Sequence, residues 1–195
     1  MGEHVFDKLH EECGVFGIYD RGGEDVVSST YYGLYALQHR GQESCGMAVN
    51  DGGVIYKHRD LGLVNEVFTK EVLNSLPKGQ MCIGHRRYAT TGTRNRSNAQ
   101  PFVIRHVKGH MALAHNGNLT NAAELREEFE LAGGIFHSTS DTEVIAYAIT
   151  RERLSTGSIE EAVQGAMKKL KGAYSLVVMS PRKLIAARDP HGFRP

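Results

Sequence analysis

Charge of one sign is what this sequence lacks most: across 195 residues, 23 Lys and Arg stand against 22 Asp and Glu, a formal charge of +1. So balanced a chain raises no long-range field for nucleic acid or anionic lipid, and polyanion-binding functions fall away. Long apolar runs are missing too. Stretches such as Ser175–Met179 are far shorter than the ~18 residues needed to cross a bilayer, which excludes a membrane-spanning helix. The first twelve residues interleave His and acidic side chains with apolar ones, so they offer neither the basic start nor the apolar block of a secretory signal. Phe6 stands where a myristoylated N-terminus has Ser or Thr. Cysteine is scarce as well: Cys13, Cys45 and Cys82 form no even, closely spaced set, which points to a reducing compartment and a cytoplasmic protein. Walker loops, dinucleotide-binding glycine patterns and internal repeats are absent from the sequence.

What is there is the composition of one ordinary folded domain, 41% hydrophobic and 23% charged, enough to bury a core. Seven runs have strand character: 13–19, 44–50, 53–58, 81–86, 111–115, 173–179 and 183–187. Helical patterns fall at 25–39, 63–75, 121–132, 142–154 and 159–170. Three of them begin with a capping residue three before a Glu, at Asn121, Ser140 and Ser158. Strands arrive in adjacent pairs across Asp51-Gly52 and Ser180-Pro181-Arg182, the mark of antiparallel hairpins, and two helices follow one another directly. This order predicts an α+β domain of stacked sheets covered by helices rather than a doubly wound fold.

Cys13 opens the first strand. A Cys in that setting is ordinarily a small buried hydrophobe, whereas a catalytic thiol needs a base and access. If the chain were cut between Glu12 and Cys13, the freed α-amino group, of pKa about 8, would place nucleophile and base on one residue. Four polar clusters lie where strands and helices end. Leu37–Ser44 (LQHRGQES) reads as a capped helix end or as part of a site. Gly84–Gly92 (GHRRYATTG) offers Arg and Thr side chains suited to a carboxylate, or a solvated Arg pair. His115–Asn118 (HNGN) reads as a turn by default, though the same residues could aim an amide and a backbone N–H at one point as an oxyanion hole. Ser138–Glu143 (STSDTE) is a helix cap whose Asp141 would stay ionised and could hold an ammonium. Cys82, His85, His106 and His110 make a poor zinc set, with one Cys where two are normal.

Behind CGVFGI, these motifs together with NAQPF and ARDPHGFRP resemble the N-terminal-nucleophile glutaminase domain of glutamine amidotransferases, and among them the glutamine phosphoribosylpyrophosphate amidotransferases. The resemblance runs from Cys13 to the last residue, and the chain lacks the Trp-bearing motif of glucosamine-phosphate synthases. It implies a four-layer αββα sandwich that hydrolyses glutamine through a γ-glutamyl thioester. Cys13 is then the nucleophile, and Asn116 and Gly117 form the oxyanion hole. Arg87 and Thr90 hold the substrate α-carboxylate, Asp141 the α-ammonium, and Arg40 supports the nucleophile.

The same resemblance implies that residues 1–12 are a propeptide and that 13–195 are the glutaminase domain, shortened at its C-terminus. A phosphoribosyltransferase domain receiving the ammonia lies outside this chain. No cofactor belongs to this domain, and any magnesium or iron–sulfur cluster belongs to the part of the full-length enzyme that the chain lacks. The full-length form is expected to be a homo-oligomer. The competing reading is a catalytically silent proenzyme or a domain that only binds glutamine or a partner; a further one is the glutaminase half of another class II amidotransferase.

Overall fold

Gly52 and Gly53, with φ of 57° and 91°, close a two-residue turn that only glycine adopts freely, and they fix the register of the first hairpin. In the computed structural model, which describes residues 13–40, 42–88 and 95–194, that hairpin joins β2 (Ser44–Asp51) to β3 (Val54–Leu61). Ahead of it run β1 (Gly14–Tyr19), α1 (Val26–Ala36) and a 3-10 turn, Gln38–Arg40. After it come α2 (Val64–Val67), α3 (Lys70–Ser75) and β4 (Met81–Arg87), which completes an antiparallel sheet in the order β1-β4-β2-β3. A 3-10 turn at Arg96–Asn98 leads to β5 (Phe102–His106) and β6 (Gly109–Leu119). The helices α4 (Ala122–Leu131), α5 (Asp141–Ser155) and α6 (Ile159–Met167) follow, then β7 (Gly172–Met179) and β8 (Leu184–Arg188). The second sheet, β5-β6-β7-β8, is also antiparallel throughout.

Strand alternation sorts the side chains into layers. On β2, Cys45, Met47 and Val49 pack with Val26, Val27 and Leu34 of α1, while Ala48 joins Ile83, Ala112 and Ala114 between the sheets. On the far side, Met111, Leu113, Leu176 and Val178 pack against Val144, Ile145 and Ile149 of α5 and Ala162 and Val163 of α6. Helix, sheet, sheet, helix is the αββα sandwich expected. Small residues line the space between sheets: a Cβ on Gly17 would come within 2.9 Å of Val177 Cγ1.

Four expectations need correcting. An eighth strand, β5, pairs with β6 through Phe102↔Leu113 to His106↔Gly109; its sequence FVIRH has no clean alternation. The helix expected over 63–75 is two short helices, broken where Thr69 starts the second by accepting from Val72 N–H. Asn121 does not cap α4; its side chain bonds Lys169 O and Lys171 N–H and ties the helix start to the approach to β7. Ser140 caps α5 through Thr142 N–H, but Glu143 accepts from the N–H groups of His137 and Ser138 instead of closing a box. Only Ser158 and Glu161 form the complete reciprocal pair among the three.

Candidate active site

The register of the first sheet brings three separated segments to one edge. Gly14 pairs with Arg86 and Ser44 with Arg87, so Cys13, Arg87 and Glu43 lie side by side where β1, β4 and β2 meet. Tyr88 N–H lies 3.5 Å from Cys13 Sγ. Burial pushes the Cys13 thiol up, and Asp141 adds to the rise, while the Tyr88 backbone bond and the charge of Arg87 oppose it without overcoming it. Its surroundings therefore leave the thiol protonated. Arg87 and Asp141 nonetheless act on it from opposite signs, which places a cation and an anion near one sulfur. Cys45 and Cys82, pushed up to about 12 by burial, are inert by comparison.

Asp141 is the first residue of α5, where the helix N-terminus favours negative charge. Burial would raise its carboxyl, but the His115 ring and the N–H groups of Leu119 and Thr142 outweigh that and hold it below the usual carboxylate range. Oδ2 accepts from Leu119 N–H at 3.0 Å, and Oδ1 lies 3.4 Å from His115 Nδ1. His115 Nδ1 also lies 3.2 Å from Thr142 Oγ1.

Asn116 and Gly117 do not form a turn. β6 continues through them to Leu119, with Gly117 opposite Tyr174. Gly117 has φ of 142°, and a Cβ there would stand 2.1 Å from Ala173 O, so glycine is required by close approach within a strand. Among the described residues, the edge of β6 beyond Leu113 has no strand partner on the β5 side. The Gln100 side chain substitutes for one, accepting from His115 N–H at 2.7 Å and donating to His115 O at 3.3 Å. Backbone groups of His115 and Leu119 thus point to that edge, and strand alternation aims Gly117 N–H the same way, between Gln100 and Asp141. Asn116 is buried, and no hydrogen bond of its side chain to a described residue occurs.

Glu43 is the residue that sequence reasoning passed over. Its Oε1 lies 3.3 Å from Arg87 Nη1, its side chain is 4% exposed, and Oε2 is buried without a hydrogen-bond partner among the described residues. The signal was its place in the Leu37–Ser44 cluster, three residues after Arg40. Of Arg40 only the backbone, ending a 3-10 turn, is described, and Thr90 lies outside the described residues. Arg86 points to the other face of β4, fully buried, with Nη1 on Gln38 Oε1 at 3.3 Å. Cys82 and His85 likewise occupy opposite faces of β4, Cys82 under α1 and His85 between the sheets, so they cannot share a metal.

The pattern describing the glutamine amidotransferase domain matches residues 85–195, over half of the chain. The chain belongs to the glutamine amidotransferase domain family. Amidophosphoribosyltransferases from Methanocaldococcus jannaschii and Synechocystis sp. are 50% and 48% identical to it, over 94% and 100% of this chain and 39% of each relative. The solved glutamine phosphoribosylpyrophosphate amidotransferase from B. subtilis superposes with a TM-score of 0.83 at 42% identity, over 93% of this chain and 38% of that one. The sandwich is thus that of the N-terminal-nucleophile hydrolases. The chain spans about two fifths of the length of the relatives it matches. Among the described residues, Cys13, Glu43 and Arg87 meet at one edge of the first sheet, and Asp141 meets His115 and Leu119 of β6 in the second.

Proposed function

We infer that this domain hydrolyses glutamine to glutamate and ammonia through a γ-glutamyl thioester on Cys13. The observation that carries this reading is the β1–β4 register that sets Cys13 beside Arg87, together with the opposite charges of Arg87 and Asp141 acting on the thiol, which suit the carboxylate and ammonium of a free amino acid. With the carboxylate and ammonium at its α-carbon held, the substrate presents its side-chain amide to Sγ. As the S–C bond forms, charge moves to the amide oxygen, where the Asn116 side-chain amide and Gly117 N–H are the donors assigned to receive it. Collapse expels ammonia, and water then releases glutamate from the thioester. No step calls for a metal or cofactor in this domain.

The base is the α-amino group of Cys13, freed by cutting after Glu12. It takes the thiol proton and passes it to the leaving ammonia. Two buried histidines are poor substitutes. His85 is held at a pKa of about 3, chiefly by burial, and donates Nε2–H to His115 O at 2.9 Å. His115 turns toward α5, on the face of β6 opposite Asn116.

Within a longer enzyme this glutaminase would supply ammonia to a phosphoribosyltransferase domain that converts phosphoribosylpyrophosphate to phosphoribosylamine, the first committed step of purine biosynthesis. A homo-oligomer in the cytoplasm is the setting proposed for that enzyme. Among the described residues no helix is long and apolar enough to cross a membrane. The test compares protein that retains Met1–Glu12 with protein starting at Cys13, each checked by mass, in a glutamine hydrolysis assay. Inert uncut protein and active cut protein are expected, with activity rising through a pH of about 7–8 as the amine loses its proton. Full activity in the uncut form would move the base elsewhere.

A further inference from the structure

Away from the thiol, β3 carries two cations on one face, Arg59 half-buried and Lys57 exposed. Alternation puts Ile55, Lys57 and Arg59 on one face, and Ile55 packs between the sheets, so Lys57 and Arg59 extend from that inner face toward the open end of the sandwich. There a cleft of about 430 Å³ is lined, among the described residues, by Lys57, His58, Arg59, Arg96 and Ser97. Nη1 of Arg59 donates to Ala99 O, and its guanidinium lies 5.1 Å over the Phe102 ring. Its Nε and Nη2 donors make no hydrogen bond to a described residue.

The charges there are poorly compensated. Asp60 pairs with Arg96 at 3.0 Å, but both side chains are well exposed. Glu143, the carboxylate that acts on Arg59, is already held by His137 N–H, Ser138 N–H and the Ser138 hydroxyl. Burial and the neighbouring Arg59 push Lys57 down, and burial and Arg96 do the same to Arg59. An anion would reverse both.

Arg59 and Ser97 also form the shared wall of a second cavity, of about 480 Å³, whose other sides include Phe102, Ile104, Ile135 and Tyr147. Behind these walls Ser97 Oγ and Thr150 Oγ1 are buried and, among the described residues, have no hydrogen-bond partner. A basic cleft opening beside a mainly apolar and aromatic one suits a molecule charged at one end and apolar at the other.

We propose that these adjoining cavities bind a phosphorylated small molecule, its phosphate held by Lys57, Arg59 and Arg96, and its ring or apolar part lodged against Phe102, Ile135 and Tyr147. The site is separate from the thiol and does not depend on the glutaminase reading.

Calorimetric titration of the whole chain with inorganic phosphate and with phenyl phosphate, at constant ionic strength, tests it. Saturable binding of both is expected, with phenyl phosphate at least ~10-fold tighter because its ring leaves water. Lys57→Ala and Arg96→Ala, both at exposed positions, should each weaken phenyl phosphate by ~10-fold while glutamine hydrolysis stays unchanged. Tyr147→Ala should weaken phenyl phosphate and leave inorganic phosphate unaffected. The proposal is overturned if neither probe saturates, if the ring adds nothing, or if the Lys57 and Arg96 variants bind as the parent does. It is equally overturned if an acidic peptide displaces phenyl phosphate at lower concentration, since the cleft would then be a docking surface for protein.

Discussion

In the proposed mechanism Arg87 has two carboxylates to serve, that of Glu43 and that of the substrate. Glu43 contacts Nη1 alone, leaving other donors of the guanidinium for the substrate carboxylate, and Glu43 is too deeply buried to wander. The pair therefore holds the fork in place before glutamine arrives. Glu43→Gln keeps the shape and removes the charge, so the Michaelis constant for glutamine should rise by ~10-fold with a smaller change in turnover. An unchanged Michaelis constant would reduce Glu43 to a structural ion pair. Asn116→Ala should do the reverse, lowering turnover by ~10²–10³ and affecting affinity less, because its amide matters most when charge builds on oxygen. Steady-state kinetics on the cut protein reads both. The pattern of residues alone leaves Cys13 readable as a buried hydrophobe, Arg87 as part of a solvated Arg pair and Asp141 as part of a helix cap, and it is the family resemblance that assigns them roles. Glu43 is not legible, since its partner lies 44 positions away and only the β2–β4 register brings them together.

Strand β6 shows where local signals mislead. Asn-Gly is a strong turn signal, yet here it continues a strand, because β7 crosses so close that a side chain at Gly117 would strike Ala173 O. That contact belongs to the tertiary structure and leaves no trace in neighbouring residues. Gly117→Ala should cost on the order of 3 kcal/mol or more, from the strained φ and the clash together, and chemical denaturation should record it. Gly109→Ala, which shares the positive φ but has open space around it, should cost about 1 kcal/mol and separates strain from crowding. Equal losses at the two positions would show that the close approach of β7 is unimportant. The paired hairpins and the α5–α6 succession were readable from turn residues and periodicity, which act within a few positions. β5 was not, because its pairing with β6 and the packing of α5 across it decide its state.

At the scale of the whole molecule, His85 joins the two sheets. It stands on β4, and its Nε2–H reaches the His115 carbonyl of β6, while Nδ1 is buried without a partner. Burial holds its pKa at about 3, far below that of an exposed imidazole. Between that value and ~6.5 the unfolded chain binds a proton that the folded chain refuses, so stability must fall as pH drops through this window. Asp141 acts in the same direction at lower pH: its depressed carboxyl stabilises the fold above the ordinary carboxylate range, and that contribution is lost as pH falls through the folded value. His85→Gln retains an N–H for the His115 carbonyl and cannot titrate. Urea unfolding at pH 7.5 and 5.0 should therefore show the parent losing about 2 kcal/mol more than the variant over this interval. If parent and variant lose stability in parallel, His85 is not the group that refuses the proton, and the coupling of the two sheets through it carries no pH dependence.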